Sequence, residues 1–355
     1  MKIGKSLERV VKRFLTFVLK FFVDSKKLSA DNIQPEQIRS VLIIRQDRKV
    51  GNLILTTPLI ETAKVTFKNA SIDILVSKNL KVLCEDNPYL GNIYLFDHLG
   101  FIKNPVRFFG LISSLRNNQY TLAIESSNPG GSSFLNGLIT YLTRAKFRIG
   151  FESGQGAIFT NVHVSPDRSK HYYLIQQDLV NILTDKKWEF KPRIFVSPMV
   201  LVAEKTALLK RHSLTDFDKL VGIWIGARHN KKWDIEYFQE VYKQIALETF
   251  FFPILCFGIE EQDQFKDLDK QEYNALQFKD LKRLKTFISI CDIFICGDTG
   301  PLHMSFALGV PTIGIFLQNN YITYGYADGE KNYIIKPAEP DEMIEEIIHC
   351  TKNII

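Results

Sequence analysis

Short apolar, β-branched runs alternate with longer amphipathic runs along this chain, and the alternation happens twice. In the first series, Val41 to Arg45 reads as a buried strand, Leu53 to Phe67 as a helix, Ile72 to Val76 as a strand and Leu80 to Glu85 as a short helix. Asn92 to Phe96 is a further strand, Val106 to Leu115 a helix, Thr121 to Glu125 a strand and Ser133 to Thr143 a helix. The second series runs through Leu220 to Ile225 (strand), Ile235 to Glu248 (helix), Pro253 to Phe257 (strand), Glu260 to Lys270 and Leu281 to Ser289 (helices). It ends with Ile293 to Cys296 (strand), Pro301 to Ala307 (helix), Thr312 to Phe316 (strand) and Asp341 to Thr351 (helix). Continuous apolar strands separated by amphipathic helices build parallel sheets covered on both faces. The expected fold is α/β, with two Rossmann-like domains facing across a cleft. At 355 residues the chain is long enough for two cores.

The expected domain limits are 38–190 and 216–355, with a linker region at 191–215 where Pro192 and Pro198 fall among mixed charge. Residues 1–30 stand apart. Within them Ile3, Leu7, Val10, Val11, Phe14, Leu15, Val18, Leu19 and Phe22 recur at helical spacing, with cations mostly between. The net charge of the whole chain is +6, and residues 1–27 alone carry eight Lys and Arg against Glu8 and Asp24. The remaining body is near neutral, which argues against a nucleic-acid partner. The basic amphipathic helix suits either an anionic membrane interface or docking on its own protein. A signal peptide is disfavoured, because Lys20 breaks the apolar part and no small-residue cleavage site follows. No apolar window is long enough to span a bilayer. Cys84, Cys256, Cys291, Cys296 and Cys350 include no CxxC pair and sit mostly in apolar runs, so free buried thiols and no structural zinc are expected.

In open α/β sheets ligands bind beyond the carboxyl ends of the strands, so the residues just after each strand carry the information. One such stretch is Cys296-Gly297-Asp298-Thr299-Gly300-Pro301-Leu302-His303, followed by Ala307 to Thr312. A helix starts at once there, Asp298 or Thr299 could cap it, and Pro301 suits its first turn. The N–H groups of Thr299 and Gly300 would face a phosphate or diphosphate, with His303 on the same face; plain capping is the structural alternative. A second stretch is Trp224 to Trp233, where Arg228, Lys231 and Lys232 suit a diphosphate or form a solvated loop. The third is Arg45-Gln46-Asp47-Arg48-Lys49-Val50-Gly51-Asn52, then Thr56-Thr57-Pro58. Gly51 permits close backbone approach to a ligand and Asp47 stands where a base or sugar-hydroxyl acceptor could, unless both serve only the turn. Asp267-Leu268-Asp269 reads as a solvated helix face rather than a metal site. No GxxxxGK[ST], HExxH or GxSxG occurs, and the missing GxGxxG disfavours a nicotinamide-dependent dehydrogenase.

Taken together, these motifs resemble the ADP-heptose:lipopolysaccharide heptosyltransferase family, glycosyltransferase family 9, of GT-B fold. The resemblance runs over roughly residues 40–350. Ile43-Ile44-Arg45 through Gly51-Asn52 to Thr56-Thr57-Pro58 is similar to the family's opening strand and glycine turn. Asn87-Pro88-Tyr89, Ala123-Ile124-Glu125 and Arg144 to Gly150 resemble later markers of its front domain, and Gly226 to Trp233 and Gly297 to Pro311 its donor loops. The resemblance implies a nucleotide-sugar donor, ADP-heptose or a relative, held by the rear domain. A lipid-linked saccharide acceptor would lie on the front domain, at the cytoplasmic face of the inner membrane, with Arg45 and Gly51 on the acceptor side. Lys231 and Arg228 would then serve the donor phosphates, Asp298, Thr299, Gly300 and His303 the diphosphate and sugar, and Glu260 or Glu261 the nucleoside. The implied reaction inverts the anomeric centre and needs neither metal nor cofactor.

One position departs from the family. Where the family usually carries an aspartate after the glycine, thought to deprotonate the acceptor, this chain has Asn52. An amide takes no proton at neutral pH. Either Asp47 or a neighbouring carboxylate substitutes, or the hydroxyl loses its proton late to solvent, or the protein is weakly active or inactive and acts as a binding or scaffold protein in envelope polysaccharide assembly.

Overall fold

The computed structural model describes residues 23, 26–131, 133–227, 231–262 and 272–354. Most of the basic N-terminal helix, Arg228, Asp267, Asp269 and the greater part of the expected helix Glu260 to Lys270 lie outside the described residues. The chain divides into two units, one of residues 1–48 and 55–191, the other of residues 49–54 and 192–355.

The first unit carries strands β1 (Ser40–Arg45), β2 (Ser71–Ser77), β3 (Ile93–Phe96), β4 (Leu122–Glu125), β5 (Phe147–Phe151) and β6 (Val162–Val164). They form one parallel sheet in the order β3-β2-β1-β4-β5-β6. The second unit carries β7 (Lys219–Trp224), β8 (Phe251–Phe257), β9 (Ala275–Gln277), β10 (Ile293–Gly297), β11 (Thr312–Ile315) and β12 (Asn332–Ile335), in the order β12-β11-β10-β7-β8-β9. Each sheet therefore starts in the middle, grows to one side, then returns and grows to the other. Both have the doubly wound order of nucleotide-binding folds. The central strands β1, β4, β7 and β10 are almost wholly buried on both faces, which explains their unbroken apolar sequences.

The helices are α1 (Val50–Ile54), α2 (Thr57–Thr66), α3 (His98–Lys103), α4 (Val106–Asn117), α5 (Phe134–Leu142) and α6 (Tyr172–Asn181), followed by α7 (Pro198–His212) and α8 (Ile235–Ala246). The chain is completed by α9 (Leu281–Ile290), α10 (Gly300–Ala307), α11 (Tyr321–Tyr324) and α12 (Pro340–Asn353). Helix α8 buries Phe238, Val241, Tyr242 and Ile245, a three- and four-residue stripe, against the face of the second sheet. All five cysteines are free and buried, and burial pushes the thiols of Cys256, Cys291 and Cys296 well up, so they are inert packing groups.

Three expectations need correction. The helix expected over Leu53 to Phe67 is two helices, α1 and α2, because Pro58 lacks an N–H and sits in the first turn of α2, after a break at Leu55 and Thr56. The region read as linker, 191–215, contains the full helix α7; Pro198 is its first residue, where proline starts a helix rather than breaking one. Strands β5, β6, β9 and β12 were not expected. β6 and β9 are three residues long, too short to show a period, and β5 carries Arg148 and Gly150 inside its apolar run.

Candidate active site

In the second sheet the order reverses between β7 and β10, which pair directly with Cys296 opposite Trp224. The chain leaving β7 and the chain leaving β10 diverge there, and such a reversal is where open α/β sheets bind ligands. Lys231 arrives from the β7 side and Asp298 from the β10 side. Their side chains meet, Nζ to Oδ2, at 2.5 Å. Asn320, beyond the end of β11, donates to the same carboxylate oxygen at 2.6 Å. Asp298 keeps only 6% of its side chain exposed, whereas Lys231 keeps 37%, so the acid is a buried anchor and the cation faces outward. Tyr324 belongs to the same cluster: its phenol is pushed up first by burial and then by the charge of Asp298.

Helix α10 begins immediately after Asp298. Thr299 is its N-cap residue by backbone position, yet neither Thr299 nor Asp298 caps it: the Thr299 hydroxyl donates instead to the carbonyl of Gly297 at 3.2 Å. The Asp298 N–H is used by the carbonyl of Ile315. The helix thus begins without a side-chain cap, with Thr299 and Gly300 half-buried at its positive end. One turn on, His303 is buried and its Nδ1 lies 2.7 Å from the Tyr326 hydroxyl. Tyr326 stacks on Phe306 at 3.7 Å between ring centres and meets the His303 ring edge to face, so the imidazole is held by a phenol that is itself braced.

The same unit includes α1, although α1 follows β1 in sequence. Its packing on α10 depends on two glycines. A Cβ at Gly51 would lie 2.5 Å from Cδ2 of His303, and a Cβ at Gly300 would lie 2.9 Å from Cβ of Val50. The close approach expected of Gly51 is therefore made to the His303 ring. Asn52, half-buried, is the next residue on this short helix. The structure brings Gly51, Gly300 and His303 together, and it joins Lys231 to Asp298.

The two candidate glutamates separate. Glu261 is buried and its Oε2 accepts the N–H of Gly258 at 3.0 Å, bracing the turn after β8, while Glu260 is exposed. Arg45 and Asp47 pair with each other in the first unit, Nε to Oδ2 at 2.7 Å. The Arg45 side chain is 0% exposed and also donates to the carbonyl of Ser126, to Asn128 at 3.2 Å and to the Tyr172 hydroxyl at 3.3 Å. Its guanidinium is thus committed to locking β1 to the segment after β4 and to α6. Sequence reasoning missed Asn320, Tyr324 and Tyr326. The amide cluster Gln318-Asn319-Asn320 just past the strand Thr312 to Phe316 was available to the same rule of strand ends. The tyrosines, on a four-residue helix and the loop after it, had no such signal. Among the described residues no group of three or more His, Cys, Asp or Glu gathers in metal-binding geometry, and no helix is long and apolar enough to cross a membrane.

The sequence profile of glycosyltransferase family 9 (heptosyltransferase) matches residues 108–344. The chain is 26% identical over 282 residues to lipooligosaccharide heptosyltransferase 2 of Campylobacter jejuni, covering 75% of this chain and 77% of that one. Among solved structures, a glycosyltransferase family 9 protein from Veillonella parvula superposes with a TM-score of 0.72 at 19% identity, over 91% of this chain and 92% of the other. The ADP-heptose lipopolysaccharide heptosyltransferase II of E. coli superposes with a TM-score of 0.66 at 17% identity, over 87% and 98%. The profile covers well over half the chain, both sheets have the doubly wound order, and the structural relatives share the GT-B fold. The chain belongs to glycosyltransferase family 9, the heptosyltransferase family, and is a glycosyltransferase.

Proposed function

We propose that the protein moves a heptose, or a related sugar, from a nucleotide diphosphate donor to a lipopolysaccharide-core acceptor, with inversion and without a metal. The observation that carries this reading is the Lys231–Asp298–Asn320 cluster at the strand-order reversal of the second sheet, beside the uncapped start of α10. A partly exposed ammonium and helix N–H groups favour a diphosphate, and the buried carboxylate holds the ammonium in place while offering an acceptor to sugar hydroxyls. In this reading residues 216–355 hold the donor, which kinship suggests is ADP-heptose, with Glu260 rather than the committed Glu261 toward the nucleoside, and Arg228 and Lys231 toward the phosphates. Residues 38–190 present the acceptor, and residues 1–27 rest on the anionic inner face of the inner membrane.

The acceptor oxygen attacks the anomeric carbon, the bond from that carbon to the diphosphate oxygen breaks, and the electron pair leaves with the nucleotide. Lys231 and the N–H groups at the start of α10 stabilise the departing charge, a contribution that typically reaches about 10²–10³ in rate for one well-placed donor. The acceptor proton goes to Asp47 or, after the bond has formed, to solvent. The test is transfer from ADP-heptose to a truncated core acceptor, with the anomeric configuration of the product read by NMR. Activity unaffected by either Lys231→Ala or Asp298→Ala refutes the assignment. Chelator-resistant turnover is expected.

Asn52 motivates a second reading, in which the protein binds but barely turns over. The substitution Asn52→Asp separates the two. A gain of about 10²-fold or more marks a catalyst lacking its base, and a loss shows that the amide is the working group.

A further inference from the structure

We infer that the hairpin of helices α3 and α4 in the first unit is a docking surface for an anionic lipid bilayer. Leu99 is 65% exposed, Ile102 78%, Val106 73% and Phe109 68%. Leu99 and Ile102 are three apart on α3, and Val106 and Phe109 three apart on α4, so each pair shares an outward face. The inward positions of the same helices are filled by Phe101, Phe108, Ile112 and Leu115, which join the core cluster beneath β2 and β4. Edge-to-face contacts run from Phe96 to Phe101 and from Phe101 to Phe108, so the outward side chains stand on a fixed aromatic base. The two helices are joined by Asn104 and Pro105, with Asn104 Oδ1 accepting the Val106 N–H at 3.1 Å. Four large apolar side chains exposed on two successive helices are the kind of surface that marks an interaction site.

The charge around them chooses the cover. From His98 to Ile124 the chain contains Lys103, Arg107 and Arg116 and no Asp or Glu. Lys103 and Arg107 are exposed between the apolar residues. Asp97, which caps the start of α3, is engaged by Lys78 at 3.3 Å and by the Gly100 N–H at 3.0 Å. The Gly100 N–H and then Lys78 hold its carboxyl below the usual range, with a small contribution from the charge of Arg107. A face with protruding aliphatic and aromatic groups and interleaved cations, its neighbouring Asp97 already paired, is complementary to the headgroup and upper acyl region of an anionic leaflet. An acidic soluble protein would match the cations but not the protruding apolar groups.

The test is co-sedimentation of the full-length protein with vesicles of phosphatidylcholine, with and without about 30 mol % phosphatidylglycerol. No donor or acceptor is present, so the outcome is independent of the donor-site reading. The expected result is binding to the anionic vesicles. Ile102→Ser with Phe109→Ser should weaken it about tenfold or more, and Lys103→Glu with Arg107→Glu should reduce the preference for the anionic vesicles, residues 1–27 supplying what remains. All four positions are exposed, so unchanged melting curves confirm that the fold survives. Binding by both double variants equal to the parent overturns the inference and leaves residues 1–27 as the sole contact. A concentration-dependent dimer dispersed by the apolar variant also overturns it, because the face would then pair with a second copy of the chain.

Discussion

The two sheets have the same strand order, and each places polar residues where that order reverses, but the two crevices are filled in opposite ways. In the first, Arg45 is enclosed, with Ser126, Asn128, Tyr172 and Asp47 as its partners. Around it Ser127 donates to Glu125 and accepts from Asn136 at 2.8 Å, and Gln176 donates to the carbonyl of Ser127 at 2.9 Å. The polar groups there bond chiefly to one another. In the second, Lys231 stands partly in water, Asp298 holds it from beneath, and the adjoining helix starts without a side-chain cap. One topology thus supports a crevice closed by its own side chains and one left with outward-facing donors. A cation at a strand's carboxyl end is evidence of a ligand only when its donors are not already used inside.

The sharpest way to break that contrast is to remove the outward-facing pair. Lys231→Ala and Asp298→Ala should each lower transfer by about 10²–10³-fold. Lys231→Ala should lower the melting temperature only modestly, since the ammonium is partly exposed and Asn320 still donates to the Asp298 carboxylate. Transfer assays beside melting curves decide it, and an equal loss of fold and activity in Lys231→Ala would erase the distinction. The converse change is Arg45→Met. It should cost about 3 kcal/mol in denaturant unfolding, because it leaves buried acceptors and the Asp47 carboxylate without their partner, while the surviving folded fraction still binds ADP in calorimetry. Gly51→Ala tests the helix contact between α1 and α10. The added methyl has no room beside His303, so a loss of about 1–3 kcal/mol is expected in the same unfolding measurement. The smallest effect separates the two glutamates. Glu260→Gln should raise the donor KM by about tenfold or less with an unaltered melting curve, and Glu261→Gln should lower the melting temperature by weakening its bond to Gly258.

Much of the fold was legible from the sequence because parallel strands buried on both faces must be apolar throughout and their helices must be amphipathic. Runs such as Val41 to Arg45 and Ile293 to Cys296 have no other stable use. Short peripheral strands such as Val162–Val164 and Ala275–Gln277 were not legible, since three residues carry no period and neighbours supply their hydrogen bonds. The helix Pro198–His212 was hidden by its own first proline and by a surface without a buried residue, so no apolar stripe announced it.

The candidate site divides along the same line. Gly297-Asp298-Thr299-Gly300 directly after a strand pointed to this place in the fold by residue type and position alone, because strand ends and helix starts are local features. Local sequence could not reveal that Thr299 leaves its helix uncapped, that Asn320 completes the hold on Asp298, that Tyr326 fixes His303, or that Arg45 is consumed within its own unit. Each of those depends on which distant groups arrive within hydrogen-bond reach, and that is set by how strands far apart in the chain lie side by side. The sequence by itself determined the parallel sheets and the chemistry available at their edges; the tertiary structure alone decided which of those polar groups spend their hydrogen bonds inside the protein and which still face outward.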